Sequence, residues 1–463
     1  MSAPFRTADV VAWTGARLAG QAPAGFAGIS TDTRTLALGE LFVALRGENF
    51  DGHGFLATAA SSGAAAAVVA EDAVVPEAAR ALPRLVVKDT LVALGALARG
   101  HRASLSPVVV AVTGSVGKTS TKELLAAALS PLGPVLKTEG NLNNEIGLPL
   151  TLFRLRAEHR AAVLEMGMNH PGEIARLAAI GQPAIGVVLN AREVHLEQLG
   201  TVENVARAKG ELYFGLPPDG IAVANADDPL VMAQARASGR RVLTFGQGAS
   251  SDVRLVSADD RGLRGVELTC HADSRTWKTR LSMLGAHNAL NACAALAAAI
   301  GAGVRVGDAV EALPQARSAP HRLELVQLAD AVTLLDDCYN ASPSSMRAAL
   351  ETLRQAAQGR RRAAILGDML ELGPTELDLH RGVGAECGGL AWLLCFGPRS
   401  VGIAEGAAAV GVPEIGQLED FNDGLSWVHR HLQAGDAVLL KGSRGMRLER
   451  FAKALGAPQR EGH

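Results

Sequence analysis

Tyrosine and cysteine are among the scarcest residues of this chain, and the arrangement of the cysteines excludes two classes of protein. The 463 residues include two tyrosines and five cysteines. The cysteines are scattered, odd in number and never arranged as CxxC, so neither a disulfide framework nor a zinc site is predicted. Hydrophobic residues make up 48% and charged residues 20%, which is typical of an ordinary globular protein. With so little tyrosine, Tyr339 gains interest only through its neighbours.

Long apolar runs and blocks of like charge are also missing. No stretch of about 18 uncharged apolar residues appears, and the opening residues, MSAPFRTADVVAW, contain Asp9 and no apolar core of signal-peptide length. The formal net charge is −2, which offers no electrostatic footprint for nucleic acid or for an anionic membrane. We therefore expect a cytoplasmic enzyme that binds no nucleic acid and does not insert into a membrane.

The most informative stretch is residues 108–123, VVVAVTGSVGKTSTKE. An apolar, β-branched run breaks into a small loop ending Gly117-Lys118-Thr119, and a helical pattern follows. This order is typical of a phosphate-binding loop, in which backbone N–H groups and a helix N-terminus face phosphate, the lysine adds charge and the threonine hydroxyl can ligate Mg²⁺. Val112 stands where the general pattern has its first glycine. The alternative, a plain strand-turn-helix corner, leaves the GKT sequence without a reason.

The length suggests about three domains, and the apolar patterns predict an α/β fold. Residues 1–104 predict a mixed α/β domain. Residues 105–317 predict a central P-loop ATPase-like, mostly parallel sheet, with antiparallel strands appended over residues 240–283. Residues 318–463 alternate strands and helices, which predicts a second, doubly wound, Rossmann-like sheet. That region has no GxGxxG sequence, so a dinucleotide domain is disfavoured.

Three polar residues of the central region are candidates for chemistry. Glu165 ends a predicted buried strand, at the edge where open α/β sheets bind ligands, and is a candidate Mg²⁺ ligand; alternatively it caps the next turn. His195 lies on a loop beyond the next such strand, where a ligand contact and a simple polar loop residue are both open. Lys209 lies in a predicted amphipathic helix over residues 202–214, and spacing alone predicts a surface lysine that snorkels.

Asparagines cluster in two places. Asn141, Asn143 and Asn144 crowd one loop, and so many amides are expensive to order unless they bind something. Asn288 and Asn291 begin an alanine-rich helix with i, i+3 spacing, which puts both amides on one face, able to read an adenine edge. A helix cap explains one of this pair but not both.

Other polar candidates lie in a glycine-rich loop and at strand ends. Residues 47–55, GENFDGHGF, carry Asp51 and His53, which either face a ligand or belong to a simple turn. The strand ends of the last region offer Asp336, Asp337, Asp368 and Lys441 to a ligand.

Taken together, these stretches resemble the Mur ligases over nearly the whole chain. One segment alone is weak, but their collinear order is highly specific. The segments are STDTR, LFVALRGENFDGHGF, TGSVGKTSTKE, EGNLNNEIGLPLTL, EMGMNHPGEI, HLEQLGTVENVARAKGEL, GAHNALNA, PHRLE, DDCYNASPSSM, LGDMLELG and KGSRGM. Within the family, the chain resembles the members that join D-alanyl-D-alanine to a UDP-N-acetylmuramoyl-tripeptide in cytoplasmic peptidoglycan precursor synthesis. The resemblance also implies a monomer.

The resemblance implies a role for each region. Residues 1–104 would bind the UDP-sugar substrate, 105–317 would bind ATP, and 318–463 would bind ATP and the incoming dipeptide. The resemblance implies that the two helix asparagines face adenine, Asp337 the ribose, Tyr339 the base and Arg322 the phosphates. The implied ATP contacts are Gly114, Ser115, Val116, Gly117, Lys118, Thr119, Ser120, Asn288, Asn291, Arg322, Asp337 and Tyr339. The implied substrate contacts are Ser30, Thr31, Asp32, Arg34, Asp51, His53, Asn141, Asn144, Asn340 and Lys441.

Lys118, Glu165, His195 and Lys209 are the catalytic residues that the resemblance implies. Thr119 and Glu165 would hold one Mg²⁺ and His195 a second. Lys209 would be carbamylated, so that its anion supports the second metal. A carbamate forms on a neutral amine, so the site should depress the pKa of this lysine.

The implied chemistry is carboxylate activation. A carboxylate is a poor electrophile, so ATP converts it to an acyl phosphate and ADP leaves; an amine then attacks and phosphate departs from a tetrahedral intermediate. Mg²⁺ and Lys118 stabilise the charge on the transferring phosphoryl group. Since the ATP loop and Arg322 fall in different predicted domains, closure of the last domain is expected to exclude water from the acyl phosphate.

The sequence departs from the family pattern at two places and leaves two alternatives. Pro320-His321-Arg322 replaces the usual Gly-Arg, and Cys338 and Ser342 replace residues that are more often Ser and Asn. One alternative is the sister ligase that adds a diamino acid to the UDP-muramoyl dipeptide, although its DNPR-type motif is missing. The other is a nucleotide-binding regulatory protein derived from a ligase, which predicts losses among the catalytic residues; none is lost.

Overall fold

The computed structural model describes residues 4–47, 50–194 and 196–458. These residues form two compact units. The first comprises the residues up to Ala111 together with Gly133–Met168 and Gly172–Ala184. The second comprises Val112–Leu132, Asn169–Pro171 and the residues from Ile185 onward. Both units combine strands and helices, as the apolar patterns predict.

The strands and helices have the following bounds. The strands are β1 (Phe5–Arg6), β2 (Arg17–Ala19), β3 (Gly25–Phe26), β4 (Ile29–Ser30), β5 (Leu41–Val43), β6 (Ala66–Ala70), β7 (Arg84–Val87), β8 (Val108–Thr113), β9 (Val135–Lys137), β10 (Ala161–Glu165), β11 (Ile185–Val188), β12 (Ile221–Asn225), β13 (Arg241–Gly246), β14 (Val253–Asp260), β15 (Val266–Ala272), β16 (Arg275–Leu281), β17 (Glu324–Gln327), β18 (Thr333–Asp336), β19 (Arg362–Gly367), β20 (Trp392–Phe396), β21 (Ile415–Leu418) and β22 (Ala437–Lys441). The helices are α1 (Thr7–Thr14), α2 (Leu56–Ser61), α3 (Thr90–Ala103), α4 (Lys118–Leu129), α5 (Gly147–Leu152), α6 (Glu173–Gly181), α7 (Leu196–Leu199), α8 (Val202–Phe214), α9 (Pro229–Ala237), α10 (His287–Gly301), α11 (Val306–Ala312), α12 (Pro343–Ala356), α13 (Glu376–Gly384), α14 (Val401–Ala409), α15 (Phe421–His431) and α16 (Glu449–Ala454).

The first unit contains a five-stranded sheet in the order β2-β7-β6-β5-β4. Strands β4 to β7 pair in parallel, and β2 closes one edge in the antiparallel sense. Buried aliphatic side chains and Phe42 form the core on one side of this sheet, with Leu56 of α2 packed among them. The same unit holds the parallel pair β9 and β10, and β10 ends at Glu165.

The second unit begins its sheet with β11, β12, β13 and β14, which pair in parallel in that order. Strands β14, β15 and β16 then pair in the antiparallel sense. The prediction of antiparallel strands over residues 240–283 is therefore confirmed for β14 to β16, whereas β13 is parallel to both neighbours. Helix α10 packs against α4, which brings two predicted ATP-binding elements together.

The last part of the second unit is a six-stranded sheet in the order β17-β18-β22-β19-β20-β21. All its pairs are parallel except that of β17 with β18. Alternate residues of the strands enter two separate cores; Leu335 and Leu366 belong to one, and Leu334 and Ile365 to the other. Since both faces are buried under helices, the predicted doubly wound sheet is confirmed.

Two features bear on the composition arguments. All five cysteines are free and buried. No helix among the described residues combines the length and the apolar character that a membrane crossing requires.

Candidate active site

The phosphate loop joins the end of β8 to the start of α4. Gly117 caps the helix with φ +86°, a conformation that side chains with a Cβ rarely adopt. A Cβ at this position would also lie 2.8 Å from Oδ1 of Asn291. Two independent constraints therefore require glycine here. The ammonium group of Lys118 folds back over the loop and donates to the carbonyl oxygen of Gly114 at 2.8 Å.

The loop is held from the residues that follow β11. The Asn190 side-chain amide forms two hydrogen bonds with Val116, accepting from its backbone N–H at 3.0 Å and donating to its carbonyl at 3.2 Å. Its own carbonyl accepts from the N–H of Ser115 at 3.1 Å. The Ser115 hydroxyl in turn accepts from the N–H of Arg192 at 2.9 Å. The loop conformation thus depends on a neighbouring strand end as well as on its own glycines.

A buried carboxylate fixes that strand end. Oδ2 of Asp228 accepts from the N–H of Ala191 at 3.0 Å and from the Arg192 guanidinium at 2.8 Å. Oδ1 accepts from the N–H groups of Leu230 and Val231 at the start of α9. Sequence patterns pointed to none of Asn190, Arg192 and Asp228. The observable signal was the position of Asn190 at the carboxyl end of a parallel strand.

A cavity of about 440 Å³ opens over the phosphate loop, entirely within the second unit. Elements far apart in the chain line it: the loop itself, the start of α10, the turn before β17, and the ends of β18 and β22. The predicted site residues that line it are Ser115, Val116, Gly117, Lys118, Thr119, Ser120, Asn288, Asn291, Arg322, Asp337, Asn340 and Lys441. Lining residues that were not predicted include Asn169, Asn190, His287, Glu371, Ser443 and Arg444.

Arg322 spans two regions of this cavity. Its guanidinium lies over the Tyr339 ring, 4.0 Å from the ring centroid, and Nη2 donates to the Thr119 hydroxyl at 3.3 Å. A cation stacked on an aromatic face keeps its charge while losing freedom to move. Arg322 is thereby held against a residue of the phosphate loop.

Two pairs of predicted ligand residues contact each other. Lys441 donates to Oδ2 of Asp337 at 2.6 Å, forming an ion pair whose side chains are 2% and 10% exposed. It also donates to the carbonyl of Asn340 at 3.0 Å. In α10, Asn291 donates to Oδ1 of Asn288 at 2.9 Å, so the two predicted adenine contacts form one amide unit.

Comparisons with known proteins now add to this geometry. Three family descriptions match: "Mur ligase family, catalytic domain" over residues 26–102, "Mur ligase middle domain" over 112–299, and "Mur ligase, glutamate ligase domain" over 321–444. The UDP-N-acetylmuramoyl-tripeptide--D-alanyl-D-alanine ligase of Bacillus subtilis (strain 168) is 37% identical, over 92% of this chain and 93% of the relative. That of Escherichia coli (strain K12) is 39% identical with the same coverage. The chain belongs to the Mur ligase family.

Solved structures agree with the family. MurF from Acinetobacter baumannii superposes with a TM-score of 0.88 at 33% identity, covering 97% of this chain and 98% of the other. MurF ligase from Thermotoga maritima in complex with ADP gives 0.80 at 30% identity, covering 92% and 96%. The predicted three-domain α/β fold of a Mur ligase is therefore confirmed.

Lys209 corrects a prediction that rested on spacing alone. This lysine is not a snorkelling surface residue; it is buried, 2% exposed, on the face of α8 that also buries Val205 and Leu212. Helix α8 packs between β11 and α9, so the stem has no route to bulk water. Burial, and then the charge of Lys118, lower the pKa of Lys209 well below its ordinary value. The expectation of a depressed pKa is confirmed.

Glu165, in the first unit, is buried at the end of β10. Its Oε1 accepts from the Asn143 amide at 3.0 Å, and the Thr138 hydroxyl accepts from its backbone N–H at 3.0 Å. Its Oε2 is buried and has no hydrogen-bond partner among the described residues. A buried carboxylate oxygen that no donor reaches fits a cation ligand. Asn143, which was not among the predicted site residues, orients it. His195 lies outside the described residues.

The predicted substrate residues of the first unit mostly serve the local fold. Asp32 accepts from the Arg34 guanidinium at 2.6 Å, and the Ser30 hydroxyl accepts from the N–H of Asp32 at 3.2 Å. Both ring nitrogens of His53 contact the chain: Nδ1 faces Asp51 at 2.5 Å, and Nε2 accepts from the N–H of Ala70 at 3.0 Å.

The remaining three differ in their contacts. The Asn144 side chain caps α5 by accepting from the N–H of Gly147 at 2.8 Å. Thr31 is partly exposed and Asn141 is exposed. Contacts of all these residues with a nucleotide sugar stay predictions.

Proposed function

We propose that this chain is an ATP-dependent ligase that joins D-alanyl-D-alanine to UDP-N-acetylmuramoyl-tripeptide through an acyl phosphate, releasing ADP and phosphate in peptidoglycan precursor synthesis. The observation that carries the proposal is the cavity lined by the phosphate loop, the α10 asparagines and Arg322 together. Relatives that are more than 35% identical along nine-tenths of the chain are named as ligases of these two substrates, which supports the proposal.

The cavity residues divide the work on ATP. We propose that the backbone N–H groups of residues 114–119 and the ammonium of Lys118 hold the phosphates, since a helix N-terminus and a point charge both favour anions. Arg322, fixed over Tyr339, adds a second cation against the charge that develops during transfer. The amide unit of Asn288 and Asn291 faces adenine, and Asp337 faces the ribose. Positioning and charge stabilisation therefore supply the catalysis, with no covalent enzyme intermediate.

The metal requirement is a further part of the proposal. We propose Thr119, Glu165 and His195 as ligands for two Mg²⁺ ions, which neutralise phosphate charge when bound. The partnerless Oε2 of Glu165 supports its role. Carbamylated Lys209 would support the second ion, and the depressed pKa of this lysine supplies the neutral amine that CO₂ requires.

The remaining assignments follow the sequence. We propose that residues 1–104 bind the UDP-sugar through Ser30, Thr31, Asp32 and Arg34. Residues 105–317 would bind ATP, and residues 318–463 would receive the dipeptide near Asn340 and Lys441. The protein would act as a monomer in the cytoplasm; five unpaired cysteines fit a reducing compartment.

A phosphate-release assay with the purified protein tests the proposal. With ATP, Mg²⁺ and UDP-N-acetylmuramoyl-tripeptide, phosphate should appear only when D-alanyl-D-alanine is present, and mass spectrometry should find the pentapeptide product. Release with UDP-muramoyl dipeptide and meso-diaminopimelate, but not with tripeptide and D-alanyl-D-alanine, would support the sister ligase instead. Binding of ATP without turnover of either acceptor would favour the regulatory protein. Lys118→Met should abolish release in every mixture.

A further inference from the structure

The turn that carries Arg322 has an unusual backbone. His321 has φ +58° and Leu323 has φ +50°, so two non-glycine residues flanking the arginine adopt the left-handed conformation. Such residues each cost on the order of 1 kcal/mol and persist only where surrounding contacts over-determine them. The turn therefore needs contacts that hold it, and those contacts decide where Arg322 points.

Besides a weak contact of the Cys338 thiol with the His321 ring at 3.6 Å, four hydrogen bonds with residues outside 319–323 supply them. Glu324 Oε2 accepts from the N–H of His321 at 3.3 Å, and Oδ1 of Asp337 accepts from the N–H of Leu323 at 3.2 Å. The carbonyl of His321 accepts from the N–H of Tyr339 at 3.3 Å. The shortest joins Nδ1 of His321 to Oδ2 of Asp336, at 2.7 Å. Three of the four link the turn to the end of β18.

The His321–Asp336 contact differs from the other three because it joins two side chains that can both be charged. Its carboxylate is 4% exposed and its ring 33% exposed. The other three bonds use backbone groups of the turn and remain whatever side chain stands at position 321, and the Cys338 thiol is a weaker partner of the same ring nitrogen. This contact is consequently the one through which the identity of residue 321 acts on Arg322.

We propose that His321 is a positioning residue for ATP: its bond to Asp336 holds the 320–323 turn so that Arg322 lies over Tyr339 and against the phosphate loop. The inference rests on the proposed function, because it concerns the affinity of the same ATP site. His321 itself does not line the cavity, whereas its neighbours Arg322 and Leu323 do. Its effect on ATP therefore passes through the arginine.

The charges around the ring favour its protonated form. The hydrogen bond that the ring donates to Asp336, opposed by burial, raises the pKa of His321 above its ordinary value of 6.5, and the charges of Glu324 and Glu449 act in the same direction. Burial raises the pKa of Asp336, but the ring and Cys338 more than offset it, so this carboxyl stays ionised. The Cys338 thiol lies 3.6 Å from Nδ1 of His321. Burial raises the pKa of this thiol, so the thiol remains protonated. These four residues, on three elements, are the titratable groups that face the ring.

The sign of the pH effect follows. A histidine whose folded pKa lies above its unfolded pKa stabilises the fold fully below the unfolded value, about 6.5. That contribution is lost as the pH rises through the raised folded pKa, where the ion pair becomes a weaker hydrogen bond between a neutral ring and the Asp336 carboxylate. We therefore expect the hold on Arg322 to loosen towards alkaline pH.

The same atoms do not require a metal. Nitrogen, oxygen and sulfur atoms of His321, Asp336 and Cys338 lie within 4.8 Å of one another. Ligands of a tetrahedral zinc ion at 2.0–2.1 Å must be about 3.3 Å apart, whereas Nδ1 and Oδ2 are separated by 2.7 Å. A direct hydrogen bond accounts for that separation.

Two variants at position 321 test the inference. Glycine tolerates the positive φ but removes the ring, so H321G should raise the KM for ATP about tenfold, the size of one lost charge-assisted hydrogen bond. Its kcat with saturating ATP should change less than twofold. Asparagine also tolerates positive φ and can donate to Asp336 but does not titrate. The KM of H321N for ATP should be about tenfold higher than that of the wild type at pH 6. At pH 9 the two KM values should differ by less than twofold.

Two further measurements keep the outcome decisive. The His321 ring should titrate above pH 6.5 by NMR in the wild type, and its pKa should fall in D336N, which keeps a hydrogen-bonding partner without the charge. A folded H321G with an unchanged KM for ATP would overturn the inference. If H321G does not fold, an H321N:wild-type KM ratio that is independent of pH would overturn it. Wild-type turnover is measured separately, so failure here leaves the proposed ligase activity intact.

Discussion

The amide of Asn190 offers a sharp test of how the phosphate loop keeps its shape. It bonds to both the N–H and the carbonyl of Val116, as a neighbouring strand would. Asn190→Asp is nearly isosteric and keeps the acceptor for the N–H. It loses the donor to the Val116 carbonyl and places a carboxylate oxygen against it. The substitution therefore perturbs the loop without opening a cavity.

The magnitude follows from those two contacts. A net hydrogen bond contributes about 1 kcal/mol, and leaving a buried acceptor without a donor costs about 1–3 kcal/mol; the lower part of that range applies here, because the Val116 carbonyl is only partly buried. The added negative charge beside the ATP phosphates acts in the same direction. We expect a loss of about 2–3 kcal/mol in the free energy of ADP binding, which corresponds to a rise of roughly 30- to 150-fold in Kd, since 1.4 kcal/mol is tenfold.

Calorimetry with ADP measures that loss directly. Asn225→Asp is a matched control, because the Asn225 amide also lies at a parallel strand end, although it is more deeply buried, and makes two bonds, donating to the Leu189 carbonyl and accepting from the N–H of Asp227. Within the part of the chain that the structure describes, the Asn225 side chain makes no hydrogen bond to the loop, so the ADP affinity of Asn225→Asp should stay within a few fold of wild type even if its free energy of unfolding changes. Equal ADP affinities for Asn190→Asp and wild type would refute the reasoning.

Three other substitutions have expected outcomes. Lys209→Ala should abolish turnover and be partly rescued by short carboxylic acids that replace the carbamate; full activity without additive would exclude that role. Gly117→Ala should weaken ADP at least tenfold, because Asn291 leaves no room for a Cβ, whereas Gly303→Ala, with a similar φ of +84° and open space, should leave ADP affinity unchanged by the same calorimetry. Lys441→Met should lower the free energy of unfolding in urea by about 3–5 kcal/mol, since it leaves a buried carboxylate unpaired; a change under 1 kcal/mol would contradict this.

Local chemistry made much of the fold predictable. Helix α8 begins and ends at the predicted residues, because its apolar spacing and the Thr201 cap, which accepts from the N–H of Asn204, agree. Strands β18, β19, β20 and β22 follow apolar runs to within a residue, since both faces of the sheet are buried and each run is nearly continuous, whereas the edge strands β17 and β21 were not predicted. The phosphate loop was predictable because glycine, lysine and threonine each have a defined role in binding phosphate.

Contacts made across the chain were not predictable from spacing. Lys209 looked like a surface residue, because helical periodicity cannot tell which neighbours cover a face; α9 and β11 do so here. The contacts of Asn190 and Asp228 with the segment around the loop could not be read from local pattern, since those partners lie 74 and 37 residues away; the Asp228-Pro229 sequence predicts only the cap of α9. The roles of Asp337 and Lys441 as a mutual ion pair were hidden for the same reason, being 104 residues apart.

The missing early glycine now has a structural reason. Val112 is fully buried within β8, which continues to Thr113 before the loop begins. Only four residues then separate the strand from α4, so the loop is too short to make many hydrogen bonds within itself. The Asn190 amide and the Ser115–Arg192 contact support the loop from outside it. The residues after β11 make both contacts and precede His195 in the chain. We therefore expect a ligand bound at that strand end and phosphate bound in the loop to act on the same short segment.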